Sequence, residues 1–284
     1  LAIGGTSINE RVSRTAFFLY ILFISLASAH HLLTDPATSS AWKVWNTSYA
    51  MYLAVLASMI HAFAVPSSIE SAQRRWGFNK GLFEWLAKAP WSNPAFAACV
   101  LACIGFGFIG GTTGVIFGME QTNIIVHNTI AIPGHFKGTV VIGTTLTFMG
   151  ITYYLIPLIF RRKIVAFKLA QLQPWMFFFG VAILSVSMIA LGQLGVPRRH
   201  WESTFSGGPF THEFNPSVDF FWTLMMLGGT LAFLAALIWV LQVVVSVFFG
   251  PKVNGPEDMQ LPLSPLAPAA KEHKGYEAPG TLIL

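Results

Sequence analysis

Charge is scarce in this chain. Aspartate, glutamate, lysine and arginine make up 10% of its 284 residues, whereas a soluble globular domain carries about 25%. With 54% hydrophobic residues, the shortage excludes a water-soluble enzyme and points to a protein that crosses a membrane several times. Acidic residues are the scarcer kind, 12 against 17 basic. The net charge of +5 is therefore read as membrane topology, with no nucleic acid as partner. Cysteine is almost absent. Cys99 and Cys103 stand four apart in an apolar run, which reads as a buried pair in helix packing. They do not form a loop able to hold two copper ions, so any electron-entry copper is expected on a partner. A methionine is lacking at the first position, where Leu1 stands. The chain is thus expected to be processed, or part of a longer or split polypeptide. A cleavable signal peptide is not expected either, because the first apolar run is too long and follows Glu10, Arg11 and Arg14.

What is present is a series of long apolar runs. Six reach the length of about 20 residues that a bilayer core requires: 14–33, 44–66, 94–117, 135–160, 173–195 and 217–249. These predict an all-α polytopic membrane protein, with a membrane domain over 1–250 and an extended tail on the membrane surface over 251–284. Gly107, Gly110, Gly111 and Gly114 in the third run have the small-residue spacing of close helix contacts. Six crossings put the N-terminus, 67–93, 161–172 and the tail on one side. Thirteen of the 17 basic residues lie there: Arg11, Arg14, Arg74, Arg75, Lys80, Lys88, Arg161, Arg162, Lys163, Lys168, Lys252, Lys271 and Lys274. The opposite side has Lys43, Arg198 and Arg199, with Lys137 at the boundary. By the positive-inside rule the richer side is cytoplasmic.

The histidines gather at the outer end. His30 and His31 close the first run, His127 lies in the loop before the fourth, and His135 opens the fourth. Arg198 and Arg199 follow the fifth. A histidine at a membrane interface, taken alone, reads as a hydrogen-bonded surface residue, and an arginine pair as a solvated patch. Their shared depth singles them out. Neutral imidazoles within a bundle suit haem iron or copper, and paired guanidiniums suit carboxylates such as haem propionates. Adjacent helical residues point about 100° apart, so His30 and His31 can serve one ion only if the helix end opens.

SAHHLLTDP, WSNPAF, VHNTIAIPGHFKGTVVIGTTLTFMGITYYLIP and GVPRR, in that order over Leu1 to Arg199, resemble the second half of subunit I of haem-copper oxygen reductases. The likeness is to the B-type branch, to which the ba-type cytochrome c oxidases belong. It implies about six helices forming half of a subunit I bundle in the cytoplasmic membrane of a prokaryote, with the metal site toward the outer side. It also implies oxygen reduction to water coupled to proton translocation. His30 and His31 match two ligands of the active-site copper, and His135 the proximal ligand of the high-spin haem. His127, Asn128, Arg198 and Arg199 match residues around the propionates. Ser58 and His61 fall in the helix that lines the family's proton path, where His61 departs from its usual hydroxyls.

Lys137 is the larger departure. The family pattern is His-x-His, whose second histidine holds a low-spin haem, and here it reads His135, Phe136, Lys137. Three readings stay open. A neutral amine ligates iron; or the low-spin haem is missing or held by one histidine of the other half; or Lys137 bears a charge near a propionate or an outer water pocket. The third copper histidine, its cross-linked tyrosine and the other low-spin ligand belong, by the resemblance, to a segment preceding residue 1. A polypeptide supplying the N-terminal half is therefore an expected partner. So are a subunit II-like electron-entry protein, a cytochrome c, cupredoxin or quinol donor, and membrane lipids. A nitric oxide reductase-like enzyme ranks lower because 14–33 and 44–66 contain no glutamate. A divergent, non-catalytic subunit that lost a haem is the alternative outside enzymes, and a plain transporter is weaker still.

Overall fold

Inside a bilayer the backbone has no water to bond, so an apolar run can cross only with its hydrogen bonds closed internally. The computed structural model describes residues 2–199, 213–261 and 263–268. Six helices among them are long and apolar enough to cross a membrane: Glu10–Leu32, Ser40–Arg75, Pro94–Gly118, Ala131–Phe160, Phe167–Gln193 and Ser217–Phe249. They are called here the first to sixth spans. The described residues contain no strand, only two isolated bridges.

The apolar runs mark the spans but not their ends. The second, at 36 residues, is the longest, because the helix continues beyond its apolar part and through Pro66. The Glu70–Arg74 pair at 2.6 Å supports that polar extension one turn apart. The lengthened spans include Glu10 and Glu70, which lie outside the glutamate-free apolar runs 14–33 and 44–66. Each is paired with an arginine four residues on, Arg14 or Arg74, at the end opposite the histidines.

That end is closed by the tail. Lys163 N–H donates to Pro251, Val253 N–H to Arg161, and Ala267 N–H to Gly4. Gln260 pairs both ways with the Ile164 backbone, at 2.6 and 3.1 Å, and Asp258 forms an ion pair with Lys163. Trp76 Nε1 donates to Ile3 at 2.8 Å. The N-terminal segment, the end of the second span, the connector 161–166 and the tail therefore share one end, as an even number of crossings requires. Lys271 and Lys274 lie outside the described residues.

The connector is held from within. Arg161 and Ala166 both have positive φ, at 53° and 52°, each costing about 1–2 kcal/mol in a non-glycine residue. Gln242 Nε2 donates to the Val165 and Ala166 carbonyls at 3.3 and 3.2 Å, and Ser246 Oγ accepts from Val165 N–H at 2.9 Å. Wholly buried Tyr153 places its hydroxyl 3.0 Å from Gln173 and 3.1 Å from Gln242. One polar cluster thus ties the fourth, fifth and sixth spans together.

The apolar core lies between the third, fourth and fifth spans, around Leu101, Ile142, Leu146, Phe177 and Val181, with Ala232 and Ala235 of the sixth. Gly180 and Gly228 bring the fifth and sixth spans into backbone contact. The glycines of the third span divide. Gly110 and Gly114 face the fourth span, whereas Gly107 faces open space. Cys103 is exposed, which corrects the expected buried pair, because it occupies an outer face of its helix. In the apolar 18-residue stretch of the first and second spans only 17% is buried, against 44% in that of the third and fifth. Phe17, Phe18, Leu56 and Phe63 form part of the uncovered apolar surface.

A methyl group at Gly180 would come 2.5 Å from Ala232 N and 3.0 Å from Gly228 O, backbone atoms that cannot turn aside. Gly180→Ala is expected to destabilise the protein by about 1–3 kcal/mol, while Gly107→Ala is neutral; thermal unfolding in detergent checks the pair.

The Lys163 hydrogen bond holds the Asp258 carboxyl below its ordinary range. A depressed folded value contributes stability above the unfolded value and loses it as pH falls through the folded one. Acidification below about pH 3.9 should progressively lower the protection factor of the Val253 amide against hydrogen exchange, measured relative to the intrinsic rate at each pH. In Asp258→Asn the exchange should be fast already at neutral pH.

Candidate metal centre

Regular α-helix ends in the first span at Leu26, and a 3₁₀ turn over Ser28–Leu32 carries both adjacent histidines. Their ring centroids lie 4.0 Å apart at an interplanar angle of 42°. His30 Nδ1 faces the Ala27 carbonyl. A nitrogen against a carbonyl must carry the proton, so Nε2 keeps its lone pair.

The fourth span changes hand-hold just after His135, from α-helix over Ala131–Phe136 to π-helix over Lys137–Leu146. The third span has a π segment at Phe106–Gly111, and such bulges recur at functional sites. The two meet through glycine. A Cβ on Gly138 would lie 2.9 Å from Gly110 N, and one on Gly110 would lie 3.0 Å from Thr139 N. At this approach the His135 ring reaches the third span. Its Nδ1 lies 2.9 Å from Thr113 Oγ1, and Phe117 meets it edge-on at 6.1 Å. Thr113 gives its own proton to Ile109 O, so its oxygen accepts from Nδ1–H and Nε2 is again free. From the other side, Ser185 of the fifth span donates to Gly134 O at 2.5 Å.

The arginines are fixed by a loop-to-loop clamp. Ile130 N–H donates to Val196 O, Arg198 N–H to Asn128 O at 2.9 Å, and Thr129 bridges Pro197. Arg198 Nη2 also donates to Asn128 Oδ1 at 2.9 Å. Asn128 has φ 61°, a conformation that asparagine tolerates better than most residues. Arg198 Nε is buried with no acceptor among the described residues. Burial, then the charge of Arg199, lower the Arg198 pKa from its ordinary value. An anion such as a carboxylate would answer both conditions. Arg199 is exposed, with φ 65°.

His31 lies within electrostatic range of His30, His135 and Arg198, so the first span, the fourth span and the loop after the fifth converge at one end. The other sequence candidates sit differently. His127 is half-buried at the end of a short helix, Glu120–Val126, and its ring has no hydrogen bond among the described residues. Lys137 is half-buried, with neither hydrogen bond nor ion pair among the described residues. Ser58 returns its hydroxyl to Ala54 O at 3.2 Å, and nothing links it to His61. Among the described residues no three His, Cys, Asp or Glu side chains form a metal-binding group. Free Nε2 atoms and an orphaned guanidinium nitrogen fit haem iron, copper and propionates, but this half-site needs further ligands. Thr113 and Ser185 escaped the sequence reading. The available signal was a hydroxyl beside Gly114 at the depth of His135.

Imidazoles with protected Nδ1 and open Nε2, gathered at one end of a bundle of six candidate membrane spans, have the chemistry of metal ligands. The family model described as "Cytochrome C and Quinol oxidase polypeptide I" matches residues 2–231, and the chain belongs to that family, subunit I of the haem-copper oxidases. Cytochrome c oxidase subunit 1 of Thermus thermophilus is 32% identical over 277 residues, covering 92% of this chain and 48% of the relative. Cytochrome c oxidase polypeptide 1 of Halobacterium salinarum is 26% identical over 82% of this chain and 34% of its own. A solved haem-copper terminal oxidase dimer matches with TM-score 0.76 and 26% identity, over 87% of this chain and 43% of that one. The chain thus spans about half the length, or less, of these relatives. Haem and copper are properties of the family.

Asn128→Ala removes the Arg198 acceptor and puts a β-carbon into left-handed backbone, whereas Asn128→Gly removes only the acceptor. Thermal unfolding is expected to show the alanine variant less stable than the glycine variant by about 1–2 kcal/mol.

Proposed function

We propose that this chain is the C-terminal half of the catalytic subunit of a B-type terminal respiratory oxidase that reduces oxygen to water and translocates protons. The observation that carries the proposal is the convergence of His30, His31, His135 and Arg198 at one end of the bundle, with the Nδ1 atoms of His30 and His135 already occupied. His30 and His31 hold copper through their ring nitrogens, and His135 holds the iron of the high-spin haem. Arg198, with Asn128 bracing its guanidinium, offers its free Nε–H to a propionate, and Arg199 and His127 flank it. When bound, the two metals supply electrons to oxygen and stabilise the negative charge that develops on it.

The positive-inside rule puts this end toward the outside of a prokaryotic cytoplasmic membrane and the tail, 251–284, on the cytoplasmic face. Protons enter from that face along the second span, past His61 and Ser58. Donation from cytochrome c, a cupredoxin or a quinol, through a subunit II-like protein, completes the circuit. The sparsely buried first and second spans, and the lack of a complete ligand set among the described residues, support a partner polypeptide that supplies the N-terminal half. Lys137, with no partner among the described residues, favours a second reading in which the low-spin haem is altered or absent.

The test is a reduced-minus-oxidised spectrum of the complex purified from its membranes, repeated with carbon monoxide, with haem and copper assayed. A carbon-monoxide-sensitive haem together with copper is expected, and their absence would overturn the proposal. His135→Ala should remove the sensitive haem, while Lys137→Ala changes at most the insensitive one.

A further inference from the structure

We propose that Asn46 is a positioning residue for the His30–His31 pair, its side-chain amide holding the first span out of α-helix where the two imidazoles begin. The inference rests on those histidines being copper ligands. A continuing α-helix would join His30 N–H to the Leu26 carbonyl, four residues back. Here His30 N–H donates to Ala27 O at 3.1 Å, three residues back, and Leu26 O accepts from Asn46 Nδ2 at 2.7 Å. The amide of the second span thus occupies the acceptor that the helix would otherwise use.

The surroundings favour that one role. Asn46 is wholly buried, and only its NH2 group can answer a carbonyl. Its Oδ1 is left buried without a donor among the described residues, a cost that an apolar side chain filling the same space would not carry. Asn46 opens a π segment, Asn46–Ala50, that packs against the 3₁₀ turn. Ala27, Ala29 and Ala50 are buried there, small enough to let the two turns approach. Within a span no water replaces a missing donor. Without Asn46, Leu26 O is therefore answered by His30 N–H, and the turn reverts to α-helix. Each residue so converted rotates by about 20° and shifts by about 0.5 Å, which by His31 amounts to tens of degrees and on the order of 1–2 Å. Metal ligands hold their distances to about 0.2 Å, so the displaced pair no longer serves one ion.

The test compares Asn46→Leu, Asn46→Asp and His31→Ala in the complex purified from its membranes. Carbon monoxide is bound to the sensitive haem and released by light at low temperature. The infrared stretch of the molecules caught by the neighbouring copper reads that ion alone, apart from any electron-entry copper. In Asn46→Leu the haem should stay carbon-monoxide-sensitive while the copper band shifts or vanishes. A band at the wild-type frequency and intensity overturns the proposal. Asn46→Asp keeps the shape, and a buried carboxyl held neutral donates its O–H to Leu26 O, so the wild-type band should return. A changed or missing band in that variant overturns the role of the donor. If Asn46→Leu yields no haem-bearing complex, the aspartate variant decides in the same way. In His31→Ala the copper band should be lost; its survival overturns the copper assignment itself, a result separate from the others.

Discussion

Within a bilayer a polar side chain must find its partner on another helix, since water is not there to supply one. The His135 ring meets that requirement through Thr113, and this contact depends on how near the third and fourth spans come. Gly110 and Gly138 allow their backbones to touch. The apolar core below, around Leu101, Ile142 and Leu146, holds the pair at that distance. Ser185 reaching Gly134 fixes the fourth span from the fifth. The ring therefore stands on three helices, although it belongs to one.

The opposite end solves a different problem. A short connector with two left-handed non-glycine residues is costly by itself, and it is stable only because Gln242, Ser246 and Gln260 satisfy its backbone. Tyr153 and Gln173 then join this patch to the bundle interior. Buried networks of this kind gain their worth from complete pairing. The rigid block of spans three to six is thus pinned at both ends, at the outer end by the Asn128–Arg198 clamp. The first and second spans lack a comparable block to lean on, and their uncovered apolar faces match a chain that spans about half of its relatives.

Much of this was legible in the residues. Six crossings, their order and the depth shared by His30, His31, His135 and Arg198 follow from apolar run lengths and from the placing of basic residues. The end of the second span was not legible, because hydropathy records what lipid requires and not where helical hydrogen bonds stop. Cys103 was misplaced because spacing alone does not tell the packed face of a wholly apolar helix from its outer face. Thr113 was hidden for a related reason. Its role depends on a neighbouring span 22 residues away in sequence, brought into register by π segments that no local pattern announces.

Lys137 is where sequence and structure press hardest on each other. It follows His135 by two residues, which on a helix turns it about 200° away, so it cannot share the face that Thr113 and Phe117 close. No carboxylate occurs in the third, fourth or fifth span, and the side chain is half-buried without a partner among the described residues. An ammonium in that position is stabilised either by reaching the headgroup region along its flexible stem or by an anion or metal brought by another polypeptide. The first explanation needs only the lysine. The second ties it to the uncovered faces of this bundle, because whatever covers them there meets Lys137 at the depth of His135. A spectrum of the carbon-monoxide-insensitive haem, present or absent, separates the two: a relay haem changed by Lys137→Ala means contact, and one indifferent to it means that the amine has left for the surface.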